Sequence, residues 1–325
     1  MNNYIFGNYV MINEKISSGS FSTIYQGIHN LTKNIVAIKK INNNRKLQKY
    51  IDNEIKIMSN LKNTNIVELY KSASKDNYIY LILEYCEKGD LSSYLKKNIL
   101  TEKDTNTIFV QIVNGIEYLH NNEILHRDIK PHNILIDRNN NIKICDFGFA
   151  CYYSKIDNSL CGSPFYMAPE MLRREIYDIK IDIWSLGILL YQLLTNQIPY
   201  MSKTIKELVV EQDTIDIVVS SVFDISIECI NLLNGLLQLQ PKLRYNYQDL
   251  FNDKWIVGTS QPIEIPKRNV DTEPIFNNHF HCFSDNDYLI INSPPQNTIN
   301  SYIPNSPSLS STISCLKNSI KYFSI

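Results

Sequence analysis

The chain has 325 residues, 44% of them hydrophobic and 20% charged, with 32 basic against 33 acidic side chains. A chain of this length buries enough surface to fold without staples, and a net charge of −1 excludes binding to nucleic acid or membrane through a broad basic face. Seven cysteines without a CxxC pair suggest neither a disulfide framework nor a zinc ribbon, so reduced thiols and a cytoplasmic location are expected.

The opening MNNYIFGNYV has no basic stretch followed by an apolar core, so no secretory signal is expected. Short β-prone runs follow at 9–16, 23–29, 35–41, 67–72 and 78–85, interrupted by one helical pattern over 46–60. From Leu91 onward helical patterns dominate. Thr101 and Asp104 have capping-box spacing ahead of a helix that sets Ile108, Ile112, Ile116 and Leu119 on one face. The apolar stretch 181–194 is too short to span a bilayer and carries Asp182 and Gln192, which predicts a buried helix. After Trp255 the composition turns to Pro, Asn and Ser, too polar to repay the entropy of ordering. The expected organisation is an α+β domain over 8–256, with a small antiparallel-sheet lobe and a larger helical lobe, then a mainly disordered tail over 257–325. No repeat of 20–50 residues is visible, which excludes solenoids and propellers.

The chemistry concentrates in HRDIKPHN, residues 126–133, and in IKICDFGFA, residues 142–150. Asp128 and Asp146 bracket Lys130 and Asn133. A carboxylate with an amide oxygen suits a hard cation such as magnesium, and a second, metal-free carboxylate can orient an attacking hydroxyl. Phosphoryl transfer needs that division of labour, because its catalysis is positioning and charge neutralisation.

These strings resemble the eukaryotic protein kinases. The resemblance covers about 250 residues and implies a bilobal fold with ATP and Mg2+ as cofactors and protein hydroxyls as substrates. It makes Asp128 the catalytic base and Asn133 and Asp146 the metal ligands. Lys130, followed by Pro131, fits the serine/threonine pattern and would lie near the transferring phosphate. Lys39 of VAIK would hold the α- and β-phosphates, paired with Glu54 fifteen residues later. The phosphate loop departs from G-x-G-x-x-G: Ser17 and Ser22 stand at its outer positions, and only Gly19 remains. Serine restricts close backbone approach but keeps the N–H donors. Ile16, Ile24, Ala37 and Leu135 would sandwich the adenine, with Leu83 at the rear and the backbone around Glu84 and Cys86 as the hinge. Cys145, just before Asp146, reads as a buried filler more readily than as a reactive thiol.

Ala168-Pro169-Glu170 would close the activation segment, with Glu170 pairing with Arg244. Arg127, beside the base, implies control by phosphorylation of that segment, with Ser159 favoured over Ser154 as acceptor and Ser163 as a positioning hydroxyl. LCGSPFYMAPEML is similar to the autophagy-initiating ULK-type branch, which tolerates a small residue at position 22 and carries a regulatory phosphosite where Ser159 falls. In the tail string 284–291, acids precede Tyr288 and Ile291 in the arrangement by which autophagy proteins bind their ubiquitin-like modifier. Ile313, Leu316, Ile320 and Phe323 would share one helical face near the C-terminus. That face is far shorter than the region through which ULK-type kinases recruit partner subunits. The rival readings are a pseudokinase scaffold without turnover and a kinase-fold enzyme acting on small molecules.

Overall fold

The computed structural model describes residues 4–19, 22–214, 217 and 223–258. The tail, with Tyr288 and Ile291 and the 313–323 face, lies outside the described residues.

The N-terminal lobe is one antiparallel sheet of six strands: β1 (Ile5–Phe6), β2 (Tyr9–Ser18), β3 (Ser22–His29), β4 (Ile35–Asn42), β5 (Leu69–Lys75) and β6 (Tyr78–Glu84), in the order β1-β2-β3-β4-β6-β5. Helix α1 (Arg45–Met58) packs on it. Side chains alternate across a strand, so β4 sends Val36 and Ile38 into one cluster with Phe6, Met11, Tyr80 and Ile82, while Ile41 joins Ile79, Leu81 and Ile51 of α1 in another. The register Ala37↔Leu83 and Lys39↔Leu81 puts Ala37, Lys39 and Leu83 on the same face as Ile41. The alternation that buries the sheet therefore also aims the lysine.

Two differences from the sequence reading have physical causes. Strand β1 is only two residues long, too short for periodicity to reveal. The strand expected over 67–72 begins at Leu69 and runs to Lys75, because Ile66 and Val67 pair elsewhere. Ile66 bridges Ile144 in parallel, and the Val67 N–H donates to the Ile144 carbonyl at 2.9 Å. Both residues are buried and extended, but they tie the small lobe to the large one.

The large lobe comprises α2 (Leu91–Leu95), α3 (Glu102–Asn121), β7 (Ile124–Leu125), the hairpin β8 (Ile134–Ile136) and β9 (Ile142–Ile144), β10 (Cys151–Tyr152), α4 (Pro169–Leu172), α5 (Ile181–Thr195), α6 (Ile205–Thr214), α7 (Ile227–Leu236), α8 (Tyr247–Phe251) and α9 (Lys254–Val257). Thr101 and Asp104 form the expected capping box, with the Thr101 hydroxyl accepting the Asp104 N–H and the Asp104 carboxylate accepting the Thr101 N–H. Ile108, Ile112, Ile116 and Leu119 are fully buried, each worth roughly 1.5–3 kcal/mol of burial. Helix α5 is apolar nearly all round and sits in the core. Among the described residues no helix is long and apolar enough to cross a membrane.

Candidate active site

Catalytic-loop residues 126–133 connect β7 to β8, and the backbone there is strained. Arg127 has φ +66°, as Asp146 has +64°, a region that costs a non-glycine residue about 1–3 kcal/mol and persists only where surroundings impose it. Asp182, in the first turn of α5, imposes it: its two carboxylate oxygens accept the backbone N–H groups of His126 (2.7 Å) and Arg127 (2.9 Å). Burial pushes the Asp182 carboxyl up against the pull of these donors. His126 is fully buried. Its Nδ1 accepts the Asp128 N–H at 3.2 Å while Nε2 donates to the Cys145 carbonyl at 3.1 Å, so one tautomer joins the catalytic loop to the residue before Asp146.

Around Asp128 both carboxylate oxygens are held by short contacts. Asn133 Nδ2 donates to Oδ2 and to the Asp128 carbonyl, both at 2.8 Å. Lys130 Nζ lies 2.8 Å from Oδ2 and donates to Ser163 Oγ at 2.7 Å, and Ser163 Oγ donates to Oδ1 at 2.9 Å. Ser163 Oγ thus bridges the Lys130 ammonium and the Asp128 carboxylate. With Asn133 Nδ2 committed to Asp128, its amide oxygen is the group left to act as a metal ligand.

Lys39 from β4 reaches Glu54 of α1 at 2.7 Å and Asp146 Oδ1 at 3.1 Å. Burial disfavours the ammonium, yet Asp146 and Glu54 outweigh it and raise the Lys39 pKa above its ordinary value. Lys39 in turn holds the Asp146 carboxyl below the usual range, against a smaller opposing effect of burial. Asp146 keeps 47% of its side chain open while Glu54 keeps 5%. The exposed acid is available to a cation, and the enclosed one anchors the lysine. Asn53 Nδ2, also on α1, donates to the Ala150 carbonyl at 2.6 Å, fixing the helix to the chain just past Asp146.

The donor set fits magnesium bound together with a nucleotide. Asp146 and Asn133 are hard oxygen ligands, and no cluster of three His, Cys, Asp or Glu able to hold a metal alone exists among the described residues. Magnesium characteristically takes one or two protein oxygens and completes its shell with phosphates and water.

Ser17 lies in β2 and Ser22 in β3; the register pairs Ser17 with Ile24 and Ser18 with Thr23. Extended backbone is open to any residue, so the conformation at these two positions does not itself require glycine. The Gly19 N–H donates to the Ser22 carbonyl at 2.9 Å, and a Cβ at Gly19 would meet nothing within 4 Å. Ile16 is exposed on β2, and Ile24 and Ala37 follow on β3 and β4. Leu135 lies on β8 and bridges Asp90. The Cys86 carbonyl accepts the Gly89 N–H at 3.2 Å, closing the turn after β6, and burial pushes the Cys86 thiol up to about 12. The Glu84 side chain has a partner the sequence did not reveal: Lys143 of β9 at 2.7 Å, an ion pair across the two lobes. Cys145 is partly buried, and burial holds its thiol well above the ordinary range, in keeping with a filler.

The activation segment closes on α4. Arg244 forms a bidentate pair with Glu170 (2.6 and 3.0 Å), donates its remaining N–H groups to the Gln238, Lys180 and Leu239 carbonyls, and lies 5.1 Å over the Trp184 ring. Roles for Asp182, His126, Asn53 and Lys143 were missed in the sequence. The signal for Asp182 was present as a carboxylate inside an otherwise apolar helix.

The protein kinase domain family matches residues 10–256. The chain is 36% identical over 265 residues to serine/threonine-protein kinase atg1 of Dictyostelium discoideum, covering 77% of this chain and 39% of that protein. It is 35% identical over 263 residues to serine/threonine-protein kinase ATG1c of Arabidopsis thaliana (78% and 36%), and 34% identical over 258 residues to serine/threonine-protein kinase ULK3 of Rattus norvegicus (76% and 54%). The chain spans about a third to a half of the length of these relatives. With the fold, the ordered Asp128 and the Lys39–Glu54 pair in place, the chain belongs to the protein kinase family.

Proposed function

We propose that the chain is an ATP- and Mg2+-dependent serine/threonine protein kinase of the autophagy-initiating type. The observation that carries this reading is the Asp128 carboxylate, held by Asn133, Lys130 and Ser163. In this reading Asp128 accepts the proton of a substrate hydroxyl, Lys39 and Lys130 spread phosphate charge, and Asn133 and Asp146 hold the metal. The names of the relatives support the branch and the hydroxyl-bearing protein substrate. The tail string with Tyr288 and Ile291 is proposed as a docking strand for a ubiquitin-like modifier, and the cytoplasm as the site of action.

The test is transfer of labelled phosphate from ATP with magnesium to a generic protein substrate, beside Asp128→Asn. Losing the base should cost about 10²–10⁴-fold in rate. Equal and negligible incorporation by both proteins would mean a scaffold without turnover. For the tail, a Tyr288→Ala chain that still captures the modifier in a pull-down refutes the docking strand.

A further inference from the structure

Arg127 extends from the catalytic loop beneath the activation segment, and its guanidinium is already engaged. Nε donates to the Phe149 carbonyl at 2.6 Å, and Nη1 meets Asp157 Oδ1 at 2.9 Å, Ser159 Oγ at 3.2 Å and the Tyr177 hydroxyl at 3.3 Å. Asp157 is locally braced as well: Ser159 Oγ donates to it at 2.8 Å and the Ser159 N–H at 3.3 Å. The Tyr177 hydroxyl donates to the Ser159 carbonyl at 2.8 Å, and the Tyr177 N–H donates to Asn158 Oδ1 at 3.1 Å. Three consecutive residues are thus tied to the catalytic loop and to the chain after α4, with no modification needed to tie them.

A phosphate on Ser159 would order this segment by pairing with Arg127. A carboxylate two residues earlier occupies that position. The effect reaches the reaction centre because Gly162, at φ +101°, runs against the Arg127 carbonyl, and Ser163 follows onto Asp128 and Lys130.

We propose that Asp157 is the positioning residue that holds the activation segment in its substrate-accepting arrangement with Ser159 unmodified. This rests on the kinase reading above. Phosphorylation of Ser159 would bring roughly −1.5 to −2 charge beside a carboxylate already paired with Arg127, the cation of this cluster among the described residues. The phosphate would have to displace Asp157 rather than add to it, and would raise activity little.

The experiment uses the full chain, treated with phosphatase and shown by mass spectrometry to be unmodified at Ser159, as wild type, Asp157→Asn and Asp157→Glu. Wild type should keep most of the rate it had before treatment. Asp157→Asn should lose about tenfold or more, the scale of one charge-assisted hydrogen bond, with peptide KM raised and ATP KM little changed. Asp157→Glu should recover most of the loss, and so should Asp157→Asn phosphorylated at Ser159. A dephosphorylated wild type that loses its activity overturns the proposal. So does an Asp157→Asn protein that matches wild type. If no preparation transfers phosphate, the catalytic reading fails separately. Amide exchange over 157–163 of the unmodified chain then decides: faster exchange in Asp157→Asn supports the latch, and equal exchange refutes it.

Discussion

Removing one partner of the Glu170–Arg244 pair should destabilise the large lobe sharply. Both side chains are buried, at 3% and 0% exposure, and all five guanidinium N–H directions end on an oxygen: two on Glu170 and three on backbone carbonyls. Arg244→Met preserves apolar bulk but leaves a buried carboxylate without a counter-ion. Breaking a buried pair in this way costs about 3–5 kcal/mol, a large share of the ~5–15 kcal/mol typical of a domain. At about 2–4 °C per kcal/mol for a domain of this size, the thermal midpoint should fall by about 6–20 °C. Glu170→Gln, which keeps the shape but removes the charge, should also destabilise, and the two changes together should cost less than their sum. Urea unfolding of the three variants and wild type measures the coupling. A loss below about 1 kcal/mol for Arg244→Met, or additive single changes, would refute the view that this pair anchors the end of the activation segment.

Three further outcomes follow from the geometry. Gly162→Ala places a Cβ 2.4 Å from the Arg127 carbonyl at a φ of +101°, so it should lower kcat more than it lowers the melting temperature; steady-state kinetics beside calorimetry checks the split. The Cys86 thiol, pushed up to about 12 by burial, leaves roughly one part in ten thousand as thiolate at pH 8, so iodoacetamide should label it far more slowly in the native chain than in urea, read by peptide mass. Burial raises the Asp157 carboxyl, but its hydrogen bonds to Ser159 and Arg127 outweigh this and hold it below the ordinary carboxylate range. Its contribution to stability is therefore fully present above the unfolded value near pH ~3.9 and is lost as pH falls through the depressed folded value. Between pH 5 and 9, roughly, wild type minus Asp157→Asn stability should stay flat; a step in that difference near neutrality would refute the assignment.

Much of this protein is legible without coordinates because its chemistry is written in short strings. Asp128, Lys130 and Asn133 fall within six residues, and backbone connectivity alone confines them to one loop. The strands of the small lobe and the face of α3 follow from periodicity, since burial on one side forces a period of two or 3.6. The capping box at Thr101 is local for the same reason. Ser17 and Ser22 are the instructive case. As a motif they read as a defect, yet their strand conformation is one that serine adopts without strain.

Tertiary structure decided whatever depends on groups far apart in the chain. Lys143 meets Glu84 across 59 positions and Asp182 holds Arg127 across 55, and no local pattern encodes such pairings. Val67 looks like the start of a strand, but its N–H donates to the Ile144 carbonyl of β9, because a buried N–H takes the nearest partner in space. From the sequence alone came the residues that the kinase resemblance assigns to phosphoryl transfer and the composition that leaves the net charge at −1. It favoured Ser159 over Ser154 as the group to be charged. Only the fold showed that Asp157 already brings a charge to Arg127, since which carboxylate reaches a guanidinium depends on the path of the chain in three dimensions.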